Sequence, residues 1–100
     1  MNYLTIEEIK RQLRIDQDWT EDDELLTGLG DAAESFTEAH LNNSLQEITA
    51  QYAGELPPAI HRAMLLLVSY YYDNDGSGEQ RPVPQAYFIM TKPWQKYSFS

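Results

Sequence analysis

The sequence predicts an all-α protein: a small four-helix domain with one long amphipathic helix, one buried helix and an extended C-terminal tail. Three observations predict it. Thr5 and Glu8 stand at capping-box spacing ahead of an apolar-periodic run. Leu26, Leu29, Ala33, Phe36 and His40 recur at intervals of three and four. Pro57-Pro58 opens a stretch, Ala59 to Tyr72, that carries no charge after Arg62. The 100 residues are expected to form a single domain, residues 1–100, because a chain of this size buries roughly two-thirds of its unfolded surface around one modest core.

The first helix is expected from Ile6 to Leu13. Thr5 caps it, Leu4 and Ile9 have the spacing of a hydrophobic staple, and Ile6, Ile9 and Leu13 share a face. Arg14 to Trp19 link it to a second helix from Glu21 to Leu41, with Thr20 as N-cap. Glu21, Asp22, Asp23 and Glu24 there favour the positive end of the helix dipole. Leu25, Ala32 and Ala39 widen its apolar stripe, while Asp31, Glu34 and Glu38 are assigned to the opposite, wet face. Asn42-Asn43-Ser44 ends it, since Asn tolerates the left-handed backbone that closes a helix.

Leu45 to Leu56 reads both ways. Leu45, Ile48 and Tyr52 have helical spacing, but Thr49 and Gly54 weaken the pattern, so this stretch is read as a connector around residues 44–56 with about one helical turn. The helix after Pro58 is apolar on all sides and must be covered on all sides, by its own domain or by another subunit. Asp73 to Arg81 reads as a polar loop, Pro84 opens a last helix from Gln85 to Thr91, and Pro93 ends it. The tail from Trp94 alternates Tyr97 and Phe99 with polar residues, as an extended segment does.

Composition excludes several chemistries. With no cysteine there is no disulfide, thiolate metal site or thiol catalysis, and two histidines leave little for a metal centre. Ala63 to Tyr72, the longest uncharged apolar run, is half the length of a membrane span, and Met1 to Glu8 lacks a signal core. The protein is therefore expected to work without a membrane, in the cytoplasm where it is made. The formal charge is −9, and it is uneven: residues 1–55 carry three basic and thirteen acidic side chains, residues 56–100 four and three. A surface of that sign repels phosphate, which argues against adhesion to nucleic acid or anionic membranes.

The residues that could carry chemistry mostly have plainer roles. Six carboxylates between Asp16 and Glu24 could gather a divalent metal, but helix-dipole compensation accounts for them. Asp73-Asn74-Asp75-Gly76-Ser77-Gly78 opens like a calcium loop, yet Pro84 stands where a bidentate Glu is needed. His40 is expected at the core or at the helix dipole, and His61 in solvent. Neither has a nucleophile beside it, and no nucleophile elbow or phosphate-cradling glycine loop occurs. No enzyme, cofactor or metal is expected. Gly28 and Gly30 each cost a helix about 1 kcal/mol relative to Ala, so a close approach is expected there, within the monomer or to a neighbouring chain. Trp94 and Tyr97, in an aromatic-rich end that lacks the basic groove of a base-stacking protein, suit core filling or a protein interface. Gly28, Gly30, Trp94 and Tyr97 are therefore the candidate subunit-interface residues. A fully apolar helix plus an aromatic tail is more than a small monomer covers easily, which points to an interaction protein.

Lys10-Arg11-Gln12-Leu13-Arg14-Ile15-Asp16, then Asp23-Glu24-Leu25-Leu26 and Ala32-Ala33, resembles the head–tail connector proteins of tailed phages and prophages. Leu56-Pro57-Pro58-Ala59-Ile60 running into Ala63 to Val68 and Tyr71-Tyr72 is similar to that family's long third helix. Val83-Pro84-Gln85-Ala86 leading to Lys92-Pro93-Trp94-Gln95-Lys96-Tyr97 resembles its C-terminal segment. Asp73-Asn74-Asp75 stands where the family often has an Arg-Glu pair, and Gln95-Lys96 where it usually has arginine. The resemblance implies a structural protein, present in the bacterial host cytoplasm and then in the virion. It would form a homo-oligomeric ring between the portal protein and the tail or stopper proteins, with DNA passing through as non-specific cargo. Two other classes are kept open: a small helical regulatory module, disfavoured by the missing basic recognition helix, and a monomeric adaptor gripping one partner.

Overall fold

A computed structural model describes residues 1–74 and 82–95. The described residues form five α-helices and no strand: α1 (Ile6–Leu13), α2 (Asp23–Leu41), α3 (Leu45–Gln51), α4 (Pro58–Asn74) and α5 (Gln85–Thr91), the last followed by a 3-10 turn at Lys92–Trp94. The all-helical class matches the expectation. The count differs by α3, and the tail first makes a 3-10 turn before Gln95 turns extended.

α1 begins as the spacing predicts. The Thr5 hydroxyl accepts from the Glu8 N–H, and the Glu8 carboxylate accepts from the Thr5 N–H at 3.2 Å. Its end is closed by Arg14 in the left-handed region (φ 60°), with the Ile15 N–H reaching back to the Lys10 carbonyl at 2.8 Å. α2 starts at Asp23 rather than Glu21, and Thr20 is not its cap. The chain turns first at Asp16 to Trp19, where the Asp16 carboxylate accepts from the Asp18 N–H, and helical backbone bonding starts only at Asp22. Asn42 closes α2 at φ 52°, as expected.

α3 is the element the sequence reading reduced to a turn. Ser44 caps it, accepting from the Glu47 N–H at 3.0 Å, and Leu45 and Ile48 are buried. Tyr52, placed on the same stripe by its spacing, lies outside the helix and is exposed, and the turn that follows uses Ala53 and Gly54 at positive φ.

The core is one cluster centred on α4. Ile60, Ala63, Met64, Leu67 and Val68 are fully buried, packed by Ile9 from α1, Leu26, Ala33 and Leu41 from α2, Leu45 and Ile48 from α3, and Tyr87 from α5. α1, α2 and α5 each pack against α4. Its uncharged stretch from Ala63 to Tyr72 is therefore buried or half-buried within the chain itself, which selects the first of the two coverings the sequence allowed. At about 2 kcal/mol per buried large aliphatic side chain, this helix contributes more apolar stabilisation than any other described helix.

Candidate interaction surfaces

The first surface is made by the chain against itself. The carboxylate of Glu34, only 7% exposed, accepts from the backbone N–H groups of Asn2, Tyr3 and Leu4 at 3.0, 2.9 and 2.9 Å. The N-terminal ammonium sits 2.6 Å from Asp31. Glu38 accepts from the Leu45 N–H at 2.9 Å. The face of α2 expected to be wet is thus partly a row of acceptors for backbone donors. Its exposed face instead carries Glu24, Leu25, Gly28, Asp31, Ala32, Ser35 and Ala39.

This separates the two helical glycines. Gly30 is buried, and a Cβ there would collide with Sδ of Met1 and press on Cδ1 of Ile9 at 3.1 Å, so its close approach is made inside the chain. Gly28 is exposed with open space around it, and nothing among the described residues requires a glycine there.

The second surface lies where α5 meets the end of α2. His40 stacks on Phe36 (centroids 6.1 Å, 14°) and meets the edge of Phe88 (5.0 Å, 70°), while the Tyr87 hydroxyl lies 2.8 Å from the Thr37 hydroxyl in the core. Burial pushes the Tyr87 phenol up to about 12. The Gln95 side chain donates to the His40 carbonyl at 3.1 Å and ties the residue after the 3-10 turn to α2. Trp94 is half-buried against the core edge, while Phe88 (37%) and Ile89 (65%) remain exposed. Gly28 and Trp94 are not brought together: Gly28 and His40 are twelve residues apart on α2, about 18 Å along its axis. Tyr97 and Phe99 lie outside the described residues, as does the calcium-like loop beyond Asn74.

The third surface is a groove of about 410 Å³ between α1 and α4, lined by Glu8, Arg11, Gln12, Arg14, Arg62 and Leu65. Arg62 donates to the Gln12 side chain at 3.2 Å. His61, expected in solvent, is half-buried with its Nε2 against the Glu8 carboxylate, because α1 packs over the first turn of α4. The sequence does not mark these arginines as a group: Arg11 and Arg14 are close along the chain, but only the α1–α4 packing brings Arg62 to them.

Among the described residues no group of three or more His, Cys, Asp or Glu side chains is placed to hold a metal ion, and no helix is long and apolar enough to cross a membrane. A family model described as phage gp6-like head-tail connector protein matches residues 3–91. The match ends at Thr91, before the Lys92-Pro93-Trp94 segment. No curated protein and no solved structure matched the chain.

Proposed function

As this chain belongs to the phage gp6-like head-tail connector family, a structural family of phage head and tail proteins, we propose that it assembles into a ring at the head–tail junction, between the portal vertex and the tail or stopper proteins, with DNA passing through. The match over residues 3–91 carries this reading. A single domain of residues 1–100 repeated head-to-tail about an axis closes into such a ring when the rotation closes. The formal charge of −9 suits a passage that DNA must slide through without adhering.

Gly28 on the outer face of α2, and Trp94 with Tyr97 at the chain's C-terminal end, are assigned to subunit contacts. Gly30 supports α2 from beneath through Met1 of its own chain. The protein is made in the host cytoplasm and ends in the virion. The test is assembly: sedimentation velocity and electron microscopy of the purified chain, alone and added to portal-bearing capsids. Closed rings are expected in at least one setting. A chain that stays monomeric in both, and binds one partner as a lone subunit, would make it an adaptor instead.

A further inference from the structure

We propose that the α1–α4 groove is a carboxylate-binding site, and that its occupant is the acidic segment Asp16 to Glu24 of a second copy of this chain. The inference rests on the ring reading and adds the residues of one contact.

The described residues hold five lysines and arginines: Lys10, Arg11, Arg14, Arg62 and Lys92. Three of them line one groove on a chain whose formal charge is −9. Lys10 is satisfied internally by Asp23 at 2.9 Å and the Gln17 carbonyl at 3.2 Å. The guanidinium groups of Arg11 and Arg14 make no ion pair or hydrogen bond among the described residues, and Arg62 has only the neutral Gln12 amide. The one carboxylate in the groove, Glu8, is turned to His61 and to the cap of α1. Three exposed guanidiniums beside the half-buried Gln12 side chain and the buried Leu65 offer forked donors to planar anions.

The complementary charge stands in the segment that follows α1 and leads into α2. There Lys10 faces the start of α2, and Asp16, Asp18, Glu21 and Glu24 are exposed. No residue of Asp16 to Glu24 lines the groove of its own chain, so those acids meet such a groove on a second copy, in a head-to-tail contact of the kind a ring needs. A segment of six carboxylates exceeds what three arginines neutralise, so the assembled surface stays negative.

Two measurements on the full chain test this. In the first, a synthetic peptide of residues 15–24 is titrated into 15N-labelled protein at low salt. The side-chain resonances of Arg11, Arg14 and Arg62 are expected to shift. The shifts should vanish in about 0.5 M NaCl, with a peptide whose carboxylates are replaced by amides, and in the doubly substituted chain Arg11→Glu, Arg14→Glu. In the second, sedimentation compares self-association of the wild-type chain, that variant, the variant Asp18→Arg, Glu21→Arg, and the chain carrying all four substitutions. Each pair is expected to weaken association roughly tenfold, and the fourfold reversal to restore it. Unmoved arginine resonances, or a fourfold variant no better than the pairs, overturn the proposal. So does a short DNA duplex that displaces the peptide at equal concentration, which would make the groove a phosphate site. Rings that form regardless of the groove substitutions sink the contact and leave the ring reading standing; peptide binding with no ring anywhere does the reverse.

Discussion

Replacing Glu34 should release the first four residues from the fold. Its carboxylate holds three backbone N–H groups, from Asn2, Tyr3 and Leu4, all within 3.0 Å. Charge-assisted bonds contribute about 1.5–3 kcal/mol each, so the three give roughly 4.5–9 kcal/mol gross. Burying Leu4, which is 3% exposed, adds about 2 kcal/mol. Against this, ordering four backbone residues costs about 4–8 kcal/mol. Taken at their midpoints, these terms dock the segment by about 3 kcal/mol net. That is also the largest loss a substitution can cause, since a freed segment simply returns to water. Glu34→Ala is expected to lose about that much, and Glu34→Gln about half, because one amide oxygen still accepts but the NH2 group faces donors. Urea unfolding followed by circular dichroism at 222 nm measures the loss, and hydrogen exchange at the Leu4 amide localises it. A Glu34→Ala chain within about 0.5 kcal/mol of wild type, or a Leu4 amide equally protected in both, refutes the clamp.

Gly28→Ala should stabilise the isolated chain by about 1 kcal/mol in the same urea experiment, because the added Cβ meets nothing, while weakening assembly if this face meets a neighbour. Ser44→Ala should destabilise the chain by about 1 kcal/mol and lower helicity at α3, whose first turn depends on that hydroxyl. The Tyr87 phenol is raised to about 12, above its ordinary value near 10, so the fold favours its protonated form. Its contribution is complete below about pH 10 and declines as pH rises toward 12. Absorbance at 295 nm should show a late phase, to which Tyr71, also raised by burial, contributes, and Tyr87→Phe should remove the part that coincides with loss of helicity.

What the sequence revealed is what local rules control. The Thr5 and Glu8 box, the Asn42 closure, and Pro84 before α5 each act within a few residues, and all stand where the spacing puts them. α3 was readable in principle: Ser44 and Glu47 have N-cap and N3 spacing, and Ser44 does cap the helix. Tyr52 misled by extending a stripe past the helix end. The wet face of α2 failed for a different reason. Periodicity marks Glu34 and Glu38 as polar, but it does not distinguish water from the backbone N–H groups of an arriving segment, and a carboxylate accepts from either. The arginine groove was hidden because Arg11 and Arg62 are fifty-one residues apart and meet only through the packing of α1 on α4.

The covering of α4 changes how assembly must be driven. An apolar helix left open would have made association inseparable from folding, since a subunit with such a surface has no stable solitary state. Here α1, α2 and α5 close over α4, and what the described residues leave outside is a few apolar side chains (Trp19, Leu25, Tyr52, Phe88 and Ile89), small residues on α2, and charge. Folding and association then respond to different substitutions. Trimming Met64 or Leu67 to Ala should lower the unfolding free energy by about 2–5 kcal/mol, set by cavity size, and the urea midpoint with it. Reversing Arg11 and Arg14, exposed and unpaired among the described residues, should leave that midpoint nearly unchanged while altering the salt dependence of association. If the arginine reversals unfold the chain as readily as the core truncations do, the groove is part of the fold's own electrostatic balance, and the separation of the two processes fails.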